Sequence, residues 1–164
     1  MRPHDSIIDP KSAAEVFTAA DRKWAQRQIT QIWQHFKEQP RLAKAGWLKQ
    51  SRLARPDIFC YYRLPGTGDS GTDDSCAIGC LIPDRLYSEK LEGGTVFRLL
   101  RSRNKLWRRL QVVLLGRDLC EATKVRRAVF LRACQVAHDR AWSVPEVFCG
   151  LKLIARDFDL TLPE

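Results

Sequence analysis

Apolar residues recur at steps of three and four near the start of the chain: Phe17, Ala20 and Trp24, then Ile29, Ile32, Trp33 and Phe36. That spacing lines one face of a helix. Ser12-Ala-Ala-Glu15 has the form of a capping box, in which hydroxyl and carboxylate each satisfy an orphan N–H. The pattern therefore predicts a helix from Ser12 to about Glu38, closed by Pro40. Residues 41–56 mix basic and apolar positions and read as a short helix or ordered loop. Asp57 to Leu64 is rich in Ile, Phe and Tyr and has strand character. Residues 65–74 hold Gly, Pro, Ser, Thr and Asp and read as a mobile turn. Ser75 to Ile82 then reads as a second strand. In such an antiparallel hairpin, Ile58, Cys60 and Tyr62 share one face, and Cys76, Ile78, Cys80 and Ile82 share one face of the partner. Gly79 would lie on the other face, beneath Phe59 or Tyr61.

Beyond Pro83 the periodicity turns helical to the end. A short turn over Asp84–Lys90 is broken at Gly93-Gly94. A basic helix begins near Thr95 and runs to Leu115, interrupted at Ser102–Asn104, with Gly116 as its C′ glycine. Another helix spans Thr123 to about Ala141. Ser143-Val-Pro-Glu146 forms a second capping box, opening a helix over Val147, Leu151, Ile154 and Phe158. These elements predict an α+β fold: one mostly helical domain over 1–164 with a single buried β-hairpin and a flexible N-terminus, 1–11.

The composition, 45% apolar and 29% charged, is that of a folded domain. No apolar run is long enough to span a bilayer, and Met1 to Pro10 carries acids where a secretory signal needs an apolar core. Six cysteines, at 60, 76, 80, 120, 134 and 149, then read as reduced thiols in a cytoplasm. The net charge of +9 changes the picture more, because two blocks carry it. Residues 41–63 hold six Lys/Arg against one acid, and 101–127 hold nine against two. Such blocks suit phosphate backbones or acidic protein faces.

Cys60-Tyr-Tyr-Arg63, Cys76-Ala-Ile-Gly-Cys-Leu-Ile-Pro-Asp84, Tyr87 and Glu92-Gly93 form a compact string. It resembles a family of small uncharacterised phage and bacterial proteins. His138-Asp139, an aromatic near 142, Ile154-Ala155, Leu160 and Pro163 extend the likeness, which covers 29–39, 57–100 and 128–163. The first 28 residues and 101–127 read as additions. The resemblance implies an α+β fold and a phage or mobile-element origin, and it assigns no catalytic residue.

Four constellations bear on chemistry. Cys60, Cys76 and Cys80 with His138 would make a Cys₃His metal set, yet Cys76 and Cys80 in a strand lie roughly 13 Å apart, so buried thiols are expected and no cofactor. Cys76 with His138 would suit a thiol enzyme, but a strand start offers no activation, and Asp139 points away from its neighbour on the helix. Gly93-Gly94-Thr95 could expose N–H groups to a phosphate, though a plain turn and cap fits as well. The basic blocks remain. Arg98, Arg101, Arg103, Lys105, Arg108 and Arg109, joined by Arg126 and Arg127, form one expected nucleic-acid surface. Arg41, Lys44, Lys49 and Arg52 form another, with Trp47 to stack on a base. The leading expectation is a non-enzymatic binding protein contacting DNA or RNA. An alternative is a modulator of a host complex that docks on an acidic protein surface through the same arginines.

Overall fold

The computed structural model describes residues 10–38, 62–64, 74–92 and 95–164. Among the described residues there are six helices: α1 (Pro10–Glu15), α2 (Ala19–Glu38), α3 (Arg98–Arg101), α4 (Lys105–Leu114), α5 (Glu121–Arg140) and α6 (Val144–Asp157). Short 3-10 turns at Gly79–Leu81, Asp84–Leu86 and Glu89–Leu91 cover one side of this bundle.

The first predicted helix divides in two. Val16-Phe17-Thr18 breaks it, and the closed capping box is Thr18 with Asp21 instead of Ser12 with Glu15. The Asp21 amide donates to Thr18 Oγ1 at 3.1 Å, and Asp21 Oδ2 accepts from the Thr18 amide at 3.3 Å. The break lets Phe17 leave the helix line and pack against Phe158 at 4.8 Å and Phe130 at 6.3 Å. Burying one such ring contributes about 1.5–3 kcal/mol, enough to offset a few lost helical hydrogen bonds at about 1 kcal/mol net each.

α2 and α5 lie parallel. Asp21 meets Arg126 and Arg127 near their starts, and Phe36 stacks on His138 near their ends, with centroids 5.6 Å apart. α6 runs back against both: Phe148 meets Trp33 at 4.5 Å and Phe158 meets Phe130 at 5.2 Å. Trp24, Ile29, Ile32, Trp33 and Phe36 are buried, as are Phe130, Cys134 and His138 on α5. The helical spacing anticipated the first of these columns, except that Ala20, expected on the same face, is exposed. Gly116 sits at φ +116° just past α4, and its amide donates to the Val112 carbonyl, as a C′ glycine should. The second capping box does not close. Ser143 precedes α6 without a side-chain bond, and Glu146 accepts the Trp142 amide at 2.7 Å.

The α+β expectation fails: the fold is helical. Among the described residues, β pairing is confined to Arg63–Leu64 (β1) against Asp74–Ser75 (β2). The predicted second strand is a turn. Cys80 N–H donates to the Cys76 carbonyl at 3.1 Å, and Cys76, Ala77, Ile78, Leu81 and Ile82 are all buried whatever their parity. Gly79 explains why. Cys76 N–H donates to the Tyr62 carbonyl, and a Cβ on Gly79 would stand 1.8 Å from that oxygen. Backbone, not an aromatic ring, fills the space above the glycine. Phe59, Tyr61 and residues 65–73 lie outside the described residues.

Asp21 is 1% exposed and binds two guanidinium groups: Arg127 Nε at 3.0 Å and Arg126 Nε at 2.9 Å. Burial pushes its carboxyl up, but the bonds from Arg127, Arg126 and Thr18 outweigh that, and the folded value lies below the usual one. The stabilisation is therefore complete above the ordinary Asp value of about 3.9 and is lost as pH falls through the lowered folded value. Asp21→Asn should cost about 3–5 kcal/mol at neutral pH because it strands buried Arg127. Urea melts should show that gap closing below about pH 4. Gly79→Ala should cost about 3 kcal/mol, the upper end for overpacking, because backbone cannot yield.

Candidate functional site

α4 joins a buried apolar face to a cationic outer one. Trp107, Leu110 and Leu114 are buried, and with Tyr62, Ile78, Ile82 and Val96 they line a small apolar void. Arg103, Lys105, Arg108 and Arg109 are exposed, as are Arg98 and Arg101 on α3. The Asn104 side chain caps α4 by accepting the Leu106 amide at 2.8 Å. No acid occupies the first turn of α4; Lys105 and Arg108 stand there instead. Cations at the positive end of a helix dipole oppose it by about 0.3–1 kcal/mol each. Among the described residues, no carboxylate pairs with Arg103, Lys105, Arg108 or Arg109. Among the described residues this positive charge meets no carboxylate, and such a concentration suits an anion.

The predicted site residues separate into three groups. Arg98, Arg101, Arg103, Lys105, Arg108 and Arg109 come together around the α3–α4 junction; Arg98 also sits over the Trp107 ring, 5.9 Å from its centroid. Arg126 and Arg127 do not join that surface. Arg127 is 8% exposed, and it holds Asp21, the Leu115 carbonyl at 2.6 Å and the Trp24 ring face at 5.0 Å. Arg126 holds Asp21 and Thr123. Both build the core. Arg41, Lys44, Trp47, Lys49 and Arg52 lie outside the described residues.

A second cluster gathers around Glu92. Glu92 accepts the Tyr62 amide at 2.7 Å, the Arg63 amide at 3.2 Å and the Tyr87 hydroxyl at 2.8 Å. Arg63 lies over the Tyr87 ring, bonds Asp84 at 2.6 Å and reaches the Ile82 carbonyl. Arg63, Asp84, Tyr87 and Glu92 thus meet in space. Burial, then the Glu92 bond, holds the Tyr87 hydroxyl above its ordinary value, so it stays a donor. With three donors on it, the Glu92 carboxylate clamps β1. Sequence spacing gave no sign of this convergence.

The cysteines also move. Cys76 and Cys80 are one turn apart, so the separation expected of a strand does not hold. Burial, then the nearby Cys76 and Cys134, pushes the Cys80 thiol well up, and burial raises Cys134 likewise. Cys76 Sγ is buried and accepts the Gly79 amide at 3.3 Å. Cys60 lies outside the described residues, and among those described no group of three or more His, Cys, Asp or Glu is placed to hold a metal ion. His138 is fully buried, and Asp139 Oδ1 does approach its Nδ1, at 3.4 Å, contrary to expectation. Among the described residues, no helix is long and apolar enough to cross a membrane. Compared with family models, curated proteins and solved structures, the chain matches none.

Cys120 is an exposed thiol, as is Cys149. Cys120 stands at the N-cap of α5, and the Thr123 hydroxyl 3.3 Å away, then the Thr123 amide, lowers its pKa. Brief iodoacetamide treatment of native protein should label Cys120 before Cys76, Cys80 and Cys134, which should need denaturant. Peptide mass spectrometry reads the order; equally fast labelling of Cys76 would contradict its burial.

Proposed function

We propose that the protein is a non-enzymatic nucleic-acid-binding protein that uses the arginine face of α3 and α4. One observation carries the reading: Arg103, Lys105, Arg108 and Arg109 crowd the positive end of α4, exposed and without acidic partners among the described residues. A phosphate backbone answers that charge, and guanidinium forks match its oxygens. On the resemblance given above, this would be a protein of a phage or mobile element, working in a reducing cytoplasm.

A second reading has its own support. Val112 and Val113 follow the cations on the same helix and are 39% and 40% exposed. An apolar flank beside a basic patch also suits an acidic protein surface, as a modulator of a host complex would need.

Changing Arg101, Arg103, Arg108 and Arg109 together to Ala tests the first reading. Wild-type affinity for a labelled oligonucleotide should fall steeply with salt. The variant's slope of log affinity against log salt should be shallower by roughly 3 to 4 units, if each arginine neutralises one phosphate. An unchanged slope on duplex DNA, single-stranded DNA and RNA would overturn the reading. A partner captured from lysate by wild type but not the variant, and retained after nuclease treatment, would favour the second.

A further inference from the structure

The outward face of α4 is one continuous stripe. At about 100° per residue, Lys105, Arg108, Arg109, Val112 and Val113 fall within about 140° of arc, opposite Trp107, Leu110 and Leu114. The first five are exposed and the last three are buried. α4 has no acid along its length. Its start is held in place. The Ser102 amide donates to the Arg98 carbonyl at 2.9 Å, Ser102 Oγ accepts the Asn104 amide at 3.2 Å, and Asn104 caps the first turn. The stripe therefore sits on an anchored helix.

From Lys105 to Val113 the stripe runs about 12 Å along the helix axis. Cations fill its first half and the two valines its second. A helix with its side chains is about 10–12 Å across, and the major groove of B-DNA, about 12 Å wide, admits one. Two elements that pack against α4 also carry exposed cations: Arg98 on α3 and Arg85 on the Asp84–Leu86 turn.

We infer that the partner of this face is duplex DNA, with α4 seated in its major groove. This rests on the reading of α3 and α4 above. Arg103, just before the helix, and Arg108, at the edge of the stripe, meet phosphates. Arg109 and Val112, near its middle, reach base edges, the guanidinium to a guanine and the valine methyls to a thymine methyl. A single strand fits this face less well. Unpaired bases stack on aromatic rings, and Trp107, the aromatic residue of α4, is buried beneath the helix. Duplex RNA fits less well too, since its major groove is too narrow for side chains to read.

Selection from a pool of duplex DNA with a randomised centre tests the inference, and it should return a preferred sequence of a few base pairs. Fluorescence anisotropy then compares that duplex with an unrelated duplex, duplex RNA and single-stranded DNA of equal length. The selected duplex should bind most tightly. Arg109→Ala should weaken it about 5- to 150-fold and erase most of its advantage over the unrelated one. Deoxyuridine in place of thymine removes only the methyl group. That exchange should weaken wild type and leave the double variant Val112→Ser, Val113→Ser unaffected. Binding that depends on the four arginines but shows no preferred sequence or no thymine effect would overturn this inference alone. So would duplex RNA or a single strand bound as tightly as the selected duplex. A wild-type protein that binds none of these nucleic acids would overturn this inference and the reading beneath it.

Discussion

The helical bundle is organised by one buried carboxylate. Asp21 closes the capping box of α2 and takes one guanidinium on each oxygen, and both guanidiniums come from adjacent residues of α5. That fixes the starts of two long helices side by side. Arg127 then carries the constraint onward. Its free nitrogen binds the Leu115 carbonyl, and its plane lies over Trp24, whose indole N–H takes the Leu114 carbonyl at 3.2 Å. Two carbonyls left open at the end of α4 are thereby satisfied in the core. Unpaired, a buried aspartate or arginine would cost several kcal/mol, on the order of the domain's whole margin. Paired in this way, they dictate where three helices meet.

A consequence follows for the opposite end. α4 spans ten residues, about 15 Å, so its start lies about that far from the end anchored beside Arg127. The cations of its first turn are thus kept from Asp21 and from the acids near the starts of α2 and α5. Separating the charges in this way leaves Arg103, Arg108 and Arg109 exposed, with no carboxylate paired to them among the described residues.

Where the chain is amphipathic, its fold is legible in its letters. Trp24 to Phe36 and Phe130 to His138 bury one face and expose the other, so their spacing carries the information. Cys76 to Ile82 carries none, since nearly every side chain in it is buried and a continuous apolar run fits a strand, a helix or a turn. What decides there is a backbone approach, Gly79 against the Tyr62 carbonyl, and that contact joins residues 17 apart. The division at Phe17 is similar. Ser12-x-x-Glu15 and Thr18-x-x-Asp21 are both plausible boxes, and the choice lies with Phe130, Phe158 and two arginines more than 100 residues away in sequence.

The candidate surface shows the same limit in its sharpest form. Arg108, Arg109, Arg126 and Arg127 are indistinguishable as letters in a basic block. Arg127 is a core residue because Asp21 and the Leu115 carbonyl wait for it, and its neighbour is tied to the same carboxylate. Arg108 and Arg109 lie on a helix whose other face is already filled by Trp107 and Leu110, and whose first turn offers no acid. Net charge therefore overstates the surface available to an anion, since part of the excess is spent inside. Arg103 and Arg108 remain outside at the end of α4 where its dipole disfavours a cation. Under the proposed function, a polyanion would supply the opposite charge that this end of α4 lacks.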